Sequence, residues 1–216
     1  MKIPLIHIKT ENRANVTLRC PHCGHLGTFL AVGGANVKDI STDIEGKLHI
    51  LGHRKCPNRN CAGHIFFITT DQNDFLISFP PVIFEFEDKD IPDNIIKNFR
   101  QAITCHAHGC FQAAGIMIRR TLEELCHERG AKGDNLKERI SNLQKAVILP
   151  PSLFAGIDRL RLLGNDCAHL GAKDYDQIGR DEIETSLELT TEILKAVYQY
   201  EGLIKKLDSF KKAKSP

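Results

Sequence analysis

The chain of 216 residues is 42% hydrophobic and 26% charged, which supports a buried core and excludes a disordered or fibrous polypeptide. Its length fits one mid-sized domain or two small ones. A net charge of only +2 hides an uneven spread: residues 1–70 carry nine Lys/Arg against four Asp/Glu, residues 71–91 one against six, and residues 92–216 nineteen against seventeen. A basic start of this kind can attract nucleic acid, or it can be a solvated surface.

No apolar run approaches the length of a membrane span, and residues 1–8 lack the long apolar core and small-residue cleavage site of a signal peptide. The expectation is a cytoplasmic protein with no membrane partner. In that compartment eight cysteines serve as metal ligands or buried thiols, not as disulfides.

Residues 1–74 read as a small β domain. Cys20-Pro-His-Cys23-Gly24 and Cys56-Pro-Asn-Arg-Asn-Cys61 are two short cysteine pairs, each followed by a Gly or an Ala-Gly. A turn of this spacing lets two thiolates converge on one tetrahedral ion. Strands are expected at 16–18, 28–32, 48–51 and 64–70, where β-branched and aromatic residues cluster between Gly and Asn turns. The arrangement resembles a zinc ribbon with Cys20, Cys23, Cys56 and Cys61 as ligands to a structural Zn(2+), since four thiolates leave no open coordination position. His22, His25, His53 and His64 flank the pairs and read as surface residues or as donors to the thiolates, although any could replace a cysteine.

Residues 75–91 read as an extended acidic connector. Pro80-Pro81 interrupts an edge strand, and a helix starts near Pro92. From 92 to 208 the apolar period becomes helical. Ile95, Ile96, Phe99, Ala102 and Ile103 mark a first helix, broken at His106, His108 and Gly109. A longer helix runs from Cys110 to Gly130 and carries the i,i+4 pairs Arg119/Glu123 and Arg120/Glu124. Asn135 and Glu138 form a capping box for a short helix reaching about Val147. Pro150-Pro151-Ser152 opens the next. Gly171–Asp176 is a loop, and Asp181-Glu182 begins a last helix with Ile183, Leu187, Ile193, Leu194, Val197, Tyr200, Ile204 and Leu207 on its apolar face. Residues 209–216 form a frayed tail. A second metal site from Cys105, Cys110, Cys126 or Cys167 with His106, His108 or His127 competes with the reading of these cysteines as buried hydrophobes.

The stretch from Ile157 to Leu170 carries the chemistry. Read as a helix, it buries Ile157, Leu160, Leu163, Gly164, Cys167 and Leu170 and sets Arg161, Asn165 and His169 at i, i+4 and i+8, beside Asp158. A cation, an amide and an imidazole on one strip can bind or cut a phosphodiester, with Arg holding the phosphate and His moving a proton. The strip can equally be a polar seam pinning helices together.

The order Phe111-Gln-Ala-Ala-Gly-Ile-Met-Ile-Arg-Arg-Thr-Leu-Glu-Glu-Leu-Cys126, then Leu136-Lys-Glu-Arg-Ile140, then Arg161-Leu-Leu-Gly-Asn-Asp-Cys-Ala-His169 resembles the DUF4145 family, a branch of the HEPN superfamily. The resemblance spans roughly residues 75–205. It implies an α-helical bundle, often dimeric, in a superfamily where many members are metal-independent ribonucleases of defence systems. Their motif is Arg-Asn-x-x-x-His. Here Gly164 stands at the arginine position, and Arg161 is one turn earlier.

The fold expected is therefore α+β, a β zinc ribbon followed by an all-α HEPN-like bundle. The function expected is a nucleic-acid-associated accessory or sensing module in prokaryotic defence, RNA being favoured over DNA, with a homodimer through the helical domain and a defence-system protein as partners. The alternative is an endoribonuclease using His169 as general acid/base, Arg161 as phosphate anchor and Asn165 as orienting amide, with Arg119 or Arg120 lending charge. A structural dimerisation module is the third reading.

Overall fold

A computed structural model of the chain describes residues 7–12, 16–31, 37–42, 48–70, 75–169, 175 and 178–210. The expected loop at 171–176 apart from Tyr175, the tail at 211–216, Val32 and Leu170 lie outside the described residues. The architecture is α+β, and the chain divides into two compact units, residues 1–85 and 86–216.

The first unit is an antiparallel sheet of seven strands: β1 (His7–Asn12), β2 (Val16–Arg19), β3 (Leu26–Ala31), β4 (Val37–Thr42), β5 (Leu48–Lys55), β6 (His64–Thr70) and β7 (Phe75–Phe79). Strand β5 is its spine. One edge of β5 pairs with β4 and, farther along, with β3; the other edge pairs with β6, which in turn carries β7. Alternation sorts the residues of β5 and β6: Arg54, Ile65 and Phe67 are buried with Phe29, Cys20 and Cys56, while His64 and Phe66 face water. Strands β1 and β4 were not expected, and β5 runs four residues beyond its expected end. Val37–Thr42 has no clean apolar alternation; its extended form is held by backbone pairing between β1 and β5.

The second unit is helical: α1 (Asp93–Ala107), α2 (Phe111–Glu128), α3 (Leu136–Leu143), α4 (Pro151–Ala168), α5 (Arg180–Leu194) and α6 (Tyr200–Ser209), with a π-helical turn at Lys195–Gln199 between the last two. Helix α2 packs against α1, α3, α4 and α5. The core is formed by Ile95, Phe99, Ile118, Leu122, Leu125, Leu143, Ile157, Ile183 and Leu187, all inaccessible to water. The termini reflect local chemistry. Asn135 Oδ1 accepts the Glu138 N–H at 3.0 Å while its own side-chain amide donates to Glu138, and Gly130 takes the left-handed conformation (φ +68°) that ends α2.

Three expectations need correction. His106 is not a polar break: it lies inside α1, is only 6% exposed, and packs beside Phe111. Arg120 reaches Glu123 at 4.0 Å, and no ion pair with Glu124 is formed among the described residues. The last apolar face is split. Ile183, Leu187, Ile193, Leu194 and Val197 are buried, but Tyr200, Ile204 and Leu207 are exposed. The π turn explains this, because one extra residue rotates the remainder of the helix by roughly 100° about its axis. Arg129 stabilises that turn: its guanidinium sits 4.3 Å above the Tyr198 ring and donates to the Val197 carbonyl at 3.1 Å, while Tyr198 Oη donates to Glu128 at 2.6 Å.

Helices α2 and α4 approach closely where they cross. A Cβ on Gly164 would fall 2.5 Å from Arg119 Cβ and 3.1 Å from the Gly115 carbonyl oxygen; one on Gly115 would fall 2.2 Å from Cys167 Sγ. Both helices therefore touch through glycine. Gly164→Ala should lose about 1–3 kcal/mol despite its better helix propensity, because the Arg119 stem cannot retreat without moving α2. Thermal unfolding monitored by circular dichroism checks this; an unchanged or raised Tm would contradict the close crossing.

Candidate functional site

Two constellations stand out, one in each unit. In the sheet unit, Cys20 and Cys23 lie on a turn closed by the Cys20 N–H to His25 carbonyl bond (2.9 Å) and the Gly24 N–H to Cys20 carbonyl bond (2.9 Å), with Gly24 at φ +71°. The second turn mirrors it: the Cys56 N–H donates to the Gly63 carbonyl at 2.8 Å, and the Cys61 and Ala62 N–H groups donate to the Asn58 carbonyl. The four sulfurs all lie within 4.8 Å of one another, Cys20 to Cys61 at 3.8 Å and Cys23 to Cys56 at 3.9 Å. These separations match the ~3.8 Å that a tetrahedral ion with 2.3 Å bonds to sulfur imposes, and they are far too long for disulfides.

The cluster can hold a metal ion, and soft thiolate donors narrow the choice to zinc-like or iron ions. The sulfurs are not equivalent. The His25 backbone N–H holds Cys23 down to about 7, whereas burial pushes Cys56 up to about 12. The Asn58 side-chain amide lies 3.8 Å from the Cys23 sulfur. His22 bonds the His64 carbonyl at 3.1 Å, and His53 pairs with His64, ring nitrogen to ring nitrogen, at 2.9 Å. Among the described residues no second group of three or more cysteine, histidine or acidic ligands converges.

In the helical unit, α4 stops at Ala168, so His169, the last residue of the expected strip, caps the helix and does not extend it. It is the residue just past the helix, in extended conformation and exposed, with its N–H bonded to the Asn165 carbonyl at 3.0 Å. Arg161 and Asn165 do share one edge of α4 and are half-buried. Arg161 donates to Asp158 at 2.7 Å through Nε, which leaves its terminal nitrogens for other acceptors. Of the two arginines on α2, Arg119 is the one that reaches this edge: its stem covers Gly164, Nη1 donates to the Arg161 carbonyl at 3.3 Å, and Nε lies 3.3 Å from Glu123. Arg120 is exposed, and among the described residues no hydrogen bond or ion pair joins it to α4. The structure thus gathers Arg119, Arg161 and Asn165, with His169 one residue beyond the helix.

Asp166 was missed by the motif reading. Its Oδ2 accepts the Tyr175 N–H at 2.7 Å, which draws the chain after α4 back onto the helix, and the Tyr175 hydroxyl donates to the Arg159 carbonyl at 3.3 Å. The available signal was a carboxylate in the last turn of a helix, where the dipole disfavours it unless an N–H comes to meet it.

Residues 100–213, just over half of the chain, match the domain of unknown function DUF4145. The chain belongs to the DUF4145 family. No curated protein and no solved structure matches it. The DUF4145 region covers most of the helical unit and includes Arg119, Arg161, Asn165 and His169, but not the four clustered cysteines.

His106 is among the titratable groups enclosed within the DUF4145 unit. Its Nε2 lies 3.1 Å from Glu184 Oε1, and Nδ1 has no hydrogen-bond partner among the described residues. Arg180 also approaches Glu184, at 3.4 Å, and lies 5.8 Å over the Phe111 ring. Burial lowers the His106 pKa, and the Arg180 charge lowers it further against the opposing pull of Glu184.

Cys56→Ser should abolish stoichiometric metal binding and unfold the sheet unit, as read by metal analysis and circular dichroism; unchanged metal content would remove the centre. A histidine with a depressed folded pKa contributes stability that is whole above its unfolded value near 6.5 and is eroded as pH falls below it. Urea unfolding should therefore show the parent losing stability between pH 7.5 and 5.5 faster than His106→Gln. Parallel losses would contradict the enclosed histidine.

Proposed function

We propose that this DUF4145 protein is a zinc-ribbon/HEPN-like, nucleic-acid-associated accessory or sensing module, in which the α2–α4 edge grips the phosphodiester backbone of RNA. The observation that supports this best is the approach of two arginines from different helices, Arg119 lying across Gly164 onto the Arg161 carbonyl, next to Asn165. Each guanidinium spends part of its donor fork on a carboxylate, Glu123 or Asp158, and keeps further N–H groups for a phosphate. Zinc in the four-cysteine cluster would hold the sheet unit rigid without chemistry of its own, since all four positions are filled by sulfur. A homodimer through the helical unit and a partner in a prokaryotic defence system complete the proposal.

The endoribonuclease reading draws support from one feature. The Arg119 stem fills the space beside Gly164 and its guanidinium reaches the Arg161 carbonyl, so this edge of α4 receives a cation even though the motif arginine is absent. Against it, His169 is exposed, with no side-chain hydrogen bond to orient its ring among the described residues, whereas general acid/base work needs a positioned imidazole. Binding is therefore the better reading.

The test is RNA affinity measured between 50 and 200 mM salt for the parent, Arg119→Gln and Arg161→Gln, substitutions that keep most of each stem. Each should weaken binding about tenfold and reduce the slope of log affinity against log salt by about 1. Affinity and slope unchanged in both variants would remove the edge from the interface. RNA cleavage in chelator, leaving 2′,3′-cyclic phosphate ends and lost in His169→Ala, would replace the binding reading with the ribonuclease.

A further inference from the structure

The water-facing side of the sheet unit has a composition that its own core does not need. Pairing sets His53 opposite Phe66 and Phe66 opposite Phe79, so the three form one row across β5, β6 and β7. His53 stacks on Phe66 with ring centres 4.3 Å apart and planes within 10°. Phe66 is nevertheless 54% exposed and Phe79 71%. With His53 on one face of the Phe66 ring, that exposure comes from its other face and edge. The adjacent row holds Lys55 opposite His64, both exposed, and no carboxylate pairs with Lys55 among the described residues. His64 spends Nδ1 on His53 and keeps Nε2 available. The described core of this unit lies on the opposite face, where Phe29, Ile65 and Phe67 are buried.

We propose that the row His53–Phe66–Phe79 is a stacking platform for the bases of a single RNA strand. It rests on the reading that the chain associates with nucleic acid, and it names the strand's chemistry and a second place where it is held. Aromatic faces accept any base, since every base has a π-face, and a lysine one row away meets the phosphate. The sheet unit as a whole, residues 1–85, carries nine Lys/Arg against seven Asp/Glu, so the attraction for a polyanion is local: Lys55 lies one row from the rings, and a charged backbone suits it better than an apolar protein segment does. The free imidazole nitrogen of His64 stands where a ribose 2′-hydroxyl can hydrogen-bond, which favours RNA over DNA. The bases must be unpaired, because a duplex does not offer its base faces.

The experiment uses the full chain loaded with zinc and a fluorescein-labelled single-stranded RNA of about 12 nucleotides, within the usual site size of such platforms, read by anisotropy at 50 mM salt. Phe66→Ala and Phe79→Ala should each weaken binding about tenfold, with zinc content and circular dichroism unchanged. Phe66→Leu, which keeps an apolar side chain but removes the ring, should weaken it nearly as much. DNA of the same sequence should bind several-fold more weakly. If both alanine variants bind like the parent while Arg119→Gln and Arg161→Gln lose affinity, the platform is overturned and the nucleic-acid reading stands. No RNA binding by the parent overturns both. DNA binding within twofold of RNA overturns the ribose contact. A parent dimer that Phe66→Ala converts to monomer at unchanged RNA affinity assigns the face to self-association and overturns the platform.

Discussion

The helical unit depends on the contact between Gly115 on α2 and Gly164 on α4. Side chains at either position would hold the helices apart, as the 2.2 Å and 2.5 Å approaches of their absent Cβ atoms show. Because the backbones touch, the Arg119 stem lies flat over α4 and its guanidinium is delivered to the Arg161 carbonyl. Gly164 is thus not simply a missing side chain. It leaves the space across which the Arg119 stem is laid, and a guanidinium from α2 thereby reaches the Arg161 carbonyl.

The sheet unit depends on a different economy. Among the residues whose burial is described, its core gathers Phe29, Ile65 and Phe67 against Cys20 and Cys56. A metal ion held by the four sulfurs would cross-link the β2–β3 turn to the β5–β6 turn beside that core. Phe66 and Phe79 lie outside this cluster and face water.

Features set by local chemistry were legible in the sequence: the cysteine spacing, the Asn135/Glu138 cap, the left-handed Gly130 and the apolar stripe Ile157, Leu160, Leu163, Gly164. Features set by partners distant in the chain were not. Strand β4 owes its form to β1 and β5; His106 meets Glu184 only through the packing of α5 on α1; and α6 lost its place in the core to a π turn that no local pattern announces. At the candidate site the residue types could be read but not their arrangement. Nothing in the Arg119-Arg120 doublet says which side chain meets α4, and helical spacing carried the strip to His169 although the helix ends one residue earlier.

The central claim is that each unit binds single-stranded RNA, the helical unit through its arginine edge and the sheet unit through its aromatic row. Photo-crosslinking of 4-thiouridine-substituted RNA to the intact, metal-loaded chain, with adducts mapped by peptide mass spectrometry, tests it most directly. The account predicts adducts in the peptides carrying Arg119, Arg161 to His169, and Phe66. Adducts confined to other surfaces, such as the exposed apolar side of α6, or no adducts under conditions where a known RNA-binding control crosslinks, would contradict it.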